Sequence, residues 1–136
     1  MSRAAAPALP RWIYRVAGIY GLLVMLPQYF LESKIGRDAP PAITHPEYFY
    51  GFIGVTVAWQ VAFLVISADP ARFRPLMPVT WLEKLAFGPA VLILGAQGRV
   101  DAQVMCFGAL DLLLGALFVL AWLKTPRAPA QPGETS

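Results

Sequence analysis

The sequence predicts an all-α integral membrane protein, an up-down bundle of four transmembrane helices. Of its 136 residues 57% are hydrophobic and only 14% charged, against about 25% charged in an ordinary soluble domain. The mean hydropathy is +0.56, and a soluble domain of this length has too much surface for its volume to hide so much apolar side chain. The apolar residues fall into four runs near the length that crosses ~30 Å of hydrocarbon. Backbone groups in lipid must be satisfied within each segment, so the runs are read as helices.

Residues 1–11 are rich in Ala and Pro, carry Arg3 and Arg11, and read as a short cytoplasmic tail. The transmembrane domain is expected over residues 12–124. Its first segment covers about 12–31. This is too long for the hydrophobic region of a signal peptide, and Glu32-Ser33-Lys34 offers no small-x-small cleavage site, so it reads as a retained helix. Pro27 removes a backbone bond and crowds the preceding turn, which predicts a bend near the outer end. A polar loop is expected over 33–47, where Pro40, Pro41 and Pro46 oppose regular helix. Thr44, or His45-Pro46 with Glu47 in the first turn, starts the second helix, about 48–68, and Asp69-Pro70 stops it.

The next connection, 69–79, is short, basic and proline-punctuated. Thr80 with Glu83 three residues on makes a capping-box pattern for the third helix, about 81–97, which Gly88-Pro89 should interrupt. Residues 98–101 make a tight turn before the fourth helix, about 102–123. Lys124-Thr125-Pro126 ends that helix, and the tail 125–136 is predicted to be disordered.

Lys and Arg set the orientation. With the N-terminus inside, Arg3, Arg11, Arg15, Arg72, Arg74, Lys84, Lys124 and Arg127 lie on or near the inner side, and Lys34, Arg37 and Arg99 on the outer. Both termini are therefore expected in the cytoplasm. Trp12, Tyr14, Trp81 and Trp122 fall near the inner boundary and Tyr29, Tyr48 and Tyr50 near the outer, as an aromatic belt requires. The net charge of +3 follows from residues between apolar runs, which points to topology and not to nucleic acid.

One cysteine, Cys106, excludes an internal disulfide and a cysteine-based metal cluster, and within its apolar run it reads as a small buried hydrophobe. One histidine, His45, excludes a histidine-rich metal site within one chain. No Gly-rich phosphate loop, nucleophile elbow or HExxH pattern occurs, and neither a cofactor nor a metal is expected.

Polar groups inside membrane spans are the strongest functional candidates. Helical spacing gathers small and polar residues onto one stripe per helix: Tyr14, Gly18, Gly21, Met25, Gln28 and Glu32 on the first; Thr56, Gln60 and Ser67 on the second; Glu83, Phe87, Ala90, Leu94 and Gln97 on the third; Gly108, Asp111, Gly115, Phe118 and Trp122 on the fourth. Asp111 stands near mid-membrane, where insertion costs roughly 3 kcal/mol, and must pair or be protonated. It reads either as a proton-carrying or ligand-binding carboxyl or as one end of a buried hydrogen bond to Gln60 or Tyr20. Glu83 is expected to pair with Arg15, with Lys84 snorkelling to the headgroups, or else to guard with Arg15 a vestibule leading to Asp111. Gln60 lies mid-span beside Trp59. His45 and Glu47 form an outer cluster with Tyr48 and Tyr50, with Gln28, Glu32 and Gln97 on the same side, which reads as an acid–base pair, as a sparse metal set with Asp38, or as a helix start and interface anchor.

Tyr14 to Gly21, Pro27-Gln28-Tyr29-Phe30, Thr44 to Phe52, Ala58-Trp59-Gln60, Glu83-Lys84-Leu85 and Asp111 to Gly115 together resemble small uncharacterised bacterial four-helix membrane proteins. The Glu-Lys-x-x-x-Gly of the third helix and the Asp-x-x-x-Gly of the fourth are distantly similar to the DoxX-like group. The resemblance implies a four-helix bundle in a bacterial inner membrane and brings no established activity. Three roles stay open. The bundle binds a lipid, quinone or other apolar molecule, or docks as an accessory subunit to a membrane complex. It is a membrane enzyme on a lipid-soluble substrate, similar in general shape to the sterol-binding and isomerase proteins of the EXPERA group. Or it is a small proton-coupled transporter that works as a homodimer.

Overall fold

All four apolar runs are helical, and no strand occurs among the described residues. The structure, a computed structural model, describes residues 7–127. The start of the expected N-terminal tail, Arg3 included, and most of the tail expected to be disordered lie outside the described residues. Helix α1 covers Ala8–Met25 and continues as a 3₁₀ segment, Leu26–Phe30; α2 is Glu32–Asp38, α3 Pro46–Ala68, α4 Met77–Ala96 and α5 Ala102–Lys124. A 3₁₀ turn, Arg74–Leu76, leads into α4. Among the described residues three helical stretches are long and apolar enough to cross a membrane: Pro46–Ala68, Arg74–Ala96 and Ala102–Lys124. The stretch Ala8–Phe30 with Glu32–Asp38 is a fourth if its two parts, bent by 91°, make one span. Only 22% of an 18-residue apolar window in each of these three spans is buried. Leu82, Leu113 and Leu123 are each more than half exposed, leaving an outer surface of the kind lipid covers.

Several boundaries differ from the sequence reading. The loop expected over 33–47 begins as helix α2, because the prolines that oppose helix start only at Pro40 and Lys34 pairs with Asp38 one turn on. The sharp bend falls at Leu31; Pro27 only converts the end of α1 to 3₁₀ geometry. Helix α3 starts at Pro46, where a missing N–H costs nothing. Helix α4 starts a full turn earlier than Thr80, with Pro78 near its start. Thr80 therefore makes no capping box, and its buried hydroxyl donates back to Met77 O at 2.6 Å. Pro89 does not interrupt α4; neighbouring structure can support a proline within a span. Tyr14 is buried edge-on to Phe63, with ring centroids 6.0 Å apart, instead of anchoring an interface. Cys106 is exposed and not buried, because Gly108 takes the inward face of α5.

The chain divides into two compact units, one built on residues 14–65 and the other on the start of the chain and everything from Ile66 onward. In the first, Gly18 and Gly21 admit α3 so closely that the side chain of Gln60 lies where a Gly21 Cβ would stand. Gln60 is buried and its Nε2 donates to Thr56 O at 3.2 Å. Tyr29 stacks on Tyr50, whose hydroxyl donates to Glu32 Oε2 at 2.7 Å.

The second unit centres on the antiparallel α4–α5 hairpin. Its turn is built from two local signals. Gly98 adopts a left-handed φ of 68°, with Arg99 N bonded to Leu94 O and Gly98 N to Gly95 O, each at 2.9 Å, which closes α4. Asp101 then caps α5 by accepting from Val104 N at 2.9 Å. Along the hairpin Gly88 faces Leu112 and the Gly108 backbone, Gly95 faces Met105 and Gly108 faces Val91. A Cβ on Gly88 would stand 2.8 Å from Leu112 Cγ and 3.1 Å from Gly108 O. Gly88→Ala is therefore expected to lower stability by about 1–3 kcal/mol through overpacking. Gly51→Ala meets nothing within 4 Å and should raise it by up to about 1 kcal/mol through helix propensity. Unfolding in mixed micelles by added SDS, followed by circular dichroism, measures both signs.

Candidate functional site

The hairpin register carries a charged cluster into the middle of the two spans. Lys84 is the eleventh residue of Arg74–Ala96 and Asp111 the tenth of Ala102–Lys124. At about 1.5 Å rise per residue, each lies roughly 14–20 Å from both ends of its span. Glu83 and Lys84 thus sit deeper than the single turn expected, because α4 begins at Met77 and not at Trp81.

Gly115 makes the cluster possible. A Cβ there would stand 3.3 Å from Lys84 Cβ, so the lysine stem lies directly across α5. Asp111, one turn earlier on α5, then receives the ammonium: Nζ donates to Oδ1 at 3.1 Å. Glu83 approaches from the other side, with Oε2 at 3.0 Å and Oε1 at 3.4 Å from the same Nζ. The three side chains are 6%, 17% and 19% exposed for Lys84, Glu83 and Asp111.

The two contacts are unequal. Consecutive helix residues do not face one another, so Glu83 reaches Lys84 at a poor angle. Its Oε2 is within ion-contact distance yet is buried without a hydrogen-bond donor among the described residues. Asp111 Oδ1 has the properly directed bond. Two carboxylates about one ammonium hold one net negative charge when all three are ionised, and a single proton makes the trio neutral. The cluster therefore provides an acceptor oxygen and a place for a proton within the spans.

The sequence reading and the structure part here on α4. The expected inward stripe through Glu83 and Phe87 is one residue out of register, since Lys84, Gly88 and Val91 are the buried positions. Lys84 does not snorkel, and the carboxylate expected to meet Arg15 meets Lys84. Asp111 bonds to Lys84 in place of Gln60 or Tyr20. Lys84 was legible through spacing: Lys84, Gly88, Val91 and Gly95 repeat down one face of α4 as Gly108, Asp111 and Gly115 do down α5.

The remaining candidates belong to the unit of residues 14–65. Gln28 Nε2 donates to Val24 O at 3.2 Å and contacts Met25 Sδ at 3.4 Å. Trp59 packs against Phe63 with ring centroids 6.2 Å apart. Arg15 is exposed. His45 Nδ1 lies 3.3 Å from Glu47 Oε1 at the start of α3, with both side chains more than 60% exposed. Tyr50–Glu32 links the two elements that the sequence reading separated by a loop. Among the described residues no group of three or more His, Cys, Asp or Glu side chains is placed to hold a metal ion.

Removing one partner of a buried ion pair leaves an uncompensated charge, whereas replacing the whole set with apolar or neutral groups is nearly neutral. Lys84→Met is expected to cost on the order of 3 kcal/mol. The triple variant Lys84→Met/Asp111→Leu/Glu83→Gln should recover most of that loss in the same SDS titration. No family model, curated protein or solved structure matches this chain.

Proposed function

We propose that this chain is a multi-pass protein of a bacterial inner membrane, a four-helix up-down bundle with both termini in the cytoplasm. In this reading it binds a lipid-soluble molecule through Lys84, Glu83 and Asp111. The observation that carries it is Glu83 Oε2, a buried carboxylate oxygen within a span that lies 3.0 Å from the Lys84 ammonium yet receives no directed hydrogen bond among the described residues. Buried acceptors are rarely left so, and a ligand donor is one way to complete them. The molecule that fits has an apolar body, since Leu112 and Val91 pack along the same hairpin, and a hydroxyl or amine to donate to Glu83. A second reading, a membrane enzyme that moves a proton on such a molecule, is favoured by the two carboxyls sharing one ammonium.

Native mass spectrometry of the protein extracted into nanodiscs tests the binding reading. The wild type should carry a defined apolar molecule other than phospholipid, and folded Glu83→Gln and Asp111→Leu should lose most of it, with His45→Ala unchanged. Bulk lipid alone in every folded sample would leave the cluster a packing device of the hairpin. Orientation is tested separately. A reporter active only outside the inner membrane should be inactive when fused after Thr125 and active when inserted at Gly98.

A further inference from the structure

The end of the α4–α5 hairpin away from Gly98 carries a second constellation, independent of the charged cluster. Arg74 begins the Arg74–Ala96 span. Its Nε donates to Thr125 O at 2.9 Å, just past the end of α5. Its guanidinium carbon lies 4.4 Å from the centre of the Trp122 ring. Trp122 in turn meets Trp81 edge-on, with centroids 5.2 Å apart and planes at 86°. Thr125 is itself held, its hydroxyl donating to Ala121 O at 2.7 Å. One N–H and one face of the guanidinium are thus committed, which aims the side chain. Its four other N–H groups, on the two Nη atoms, bond to no acceptor among the described residues.

A fixed guanidinium with its fork open is suited to two oxygens of one phosphate, and its ordering has already been met by the stack and the backbone bond. The charge around it is predominantly positive, with Asp69 the one acid in the connection 69–76. Arg72, Lys124 and Arg127 stand exposed at the same end, and the nearby acid Asp69 accepts from the Arg72 backbone N–H at 3.2 Å. The opposite end of the hairpin has one charge of each sign, Arg99 and Asp101. Trp122 stands two residues and Trp81 seven residues inside a span end, and tryptophans near span ends are enriched at the headgroup boundary.

We infer that Arg74, seated on Trp122 and Thr125, binds the phosphate of an anionic membrane phospholipid, with Arg72, Lys124 and Arg127 supplying the surrounding positive field. The lipid is a component of the leaflet on that side, distinct from the molecule proposed for Glu83.

Native mass spectrometry of the full chain, released from micelles containing equal phosphatidylglycerol and phosphatidylcholine, tests this. The wild type should retain phosphatidylglycerol in preference to phosphatidylcholine. Arg74→Gln should lower the retained phosphatidylglycerol about fivefold, and Arg99→Gln should leave it unchanged. Lys124→Gln/Arg127→Gln should lower it less than Arg74→Gln does. Arg74→Lys keeps the charge without the fork, serves if Arg74→Gln fails to fold, and should retain clearly less than the wild type. Equal retention by the wild type and either Arg74 variant overturns the inference. So does a larger loss in Lys124→Gln/Arg127→Gln, which would make the attraction diffuse. Stoichiometric capture of inorganic phosphate by the protein in phosphatidylcholine alone would also overturn the lipid assignment, in favour of a soluble anion.

Discussion

An ammonium group in the middle of a membrane span dictates much of the α4–α5 hairpin. Lys84 stands far from either end of its helix, so its charge must be met by protein. Asp111 meets it from α5 at 3.1 Å and Glu83 from its own helix at 3.0 Å. Those contacts need the two helices in one register and close together. The register is supplied at the turn, where Gly98 closes α4 and Asp101 opens α5. The closeness is supplied by Gly88, Gly108 and Gly115, whose missing side chains let the backbones and the lysine stem approach.

Glycine packing and ion pairing support each other in this arrangement. In lipid the helices gain nothing from burying apolar surface against one another, so association rests on close packing and interhelical polar bonds. The hairpin has both. The unit of residues 14–65 uses the same means with a neutral group: Gly18 and Gly21 make room for Gln60, whose amide bonds to the α3 backbone. What separates the two sites is completeness. Gln60 is a buried polar group with a bond that suits a structural role. Glu83 keeps an oxygen that receives no directed hydrogen bond among the described residues, which leaves that site incomplete.

The hairpin is also polarised along its length. One end is a compact neutral turn. The other collects Arg72, Arg74, Lys124 and Arg127 around a tryptophan pair. The same basic residues weight the expected orientation, and the stacking of Arg74 on Trp122 gives one of them a defined direction.

The sequence by itself determined that the chain is helical and built for a membrane, because apolar run length and the need to satisfy backbone groups in lipid are local properties. It also marked Asp111, Gly108 and Gly115 as one face of α5, and the tight turn at 98–101, since helical period and Gly chemistry are written in neighbouring residues. The ends of helices were less legible. Helix α2 stands where three prolines suggested loop, and α4 starts before the apparent capping box, because a cap pattern in sequence cannot compete with an upstream turn that it does not see. Only the tertiary structure decided that Lys84 and not Glu83 faces α5. One residue along a helix turns a side chain by about 100°, and the partner that selects between two adjacent charged residues lies 27 positions away in Asp111.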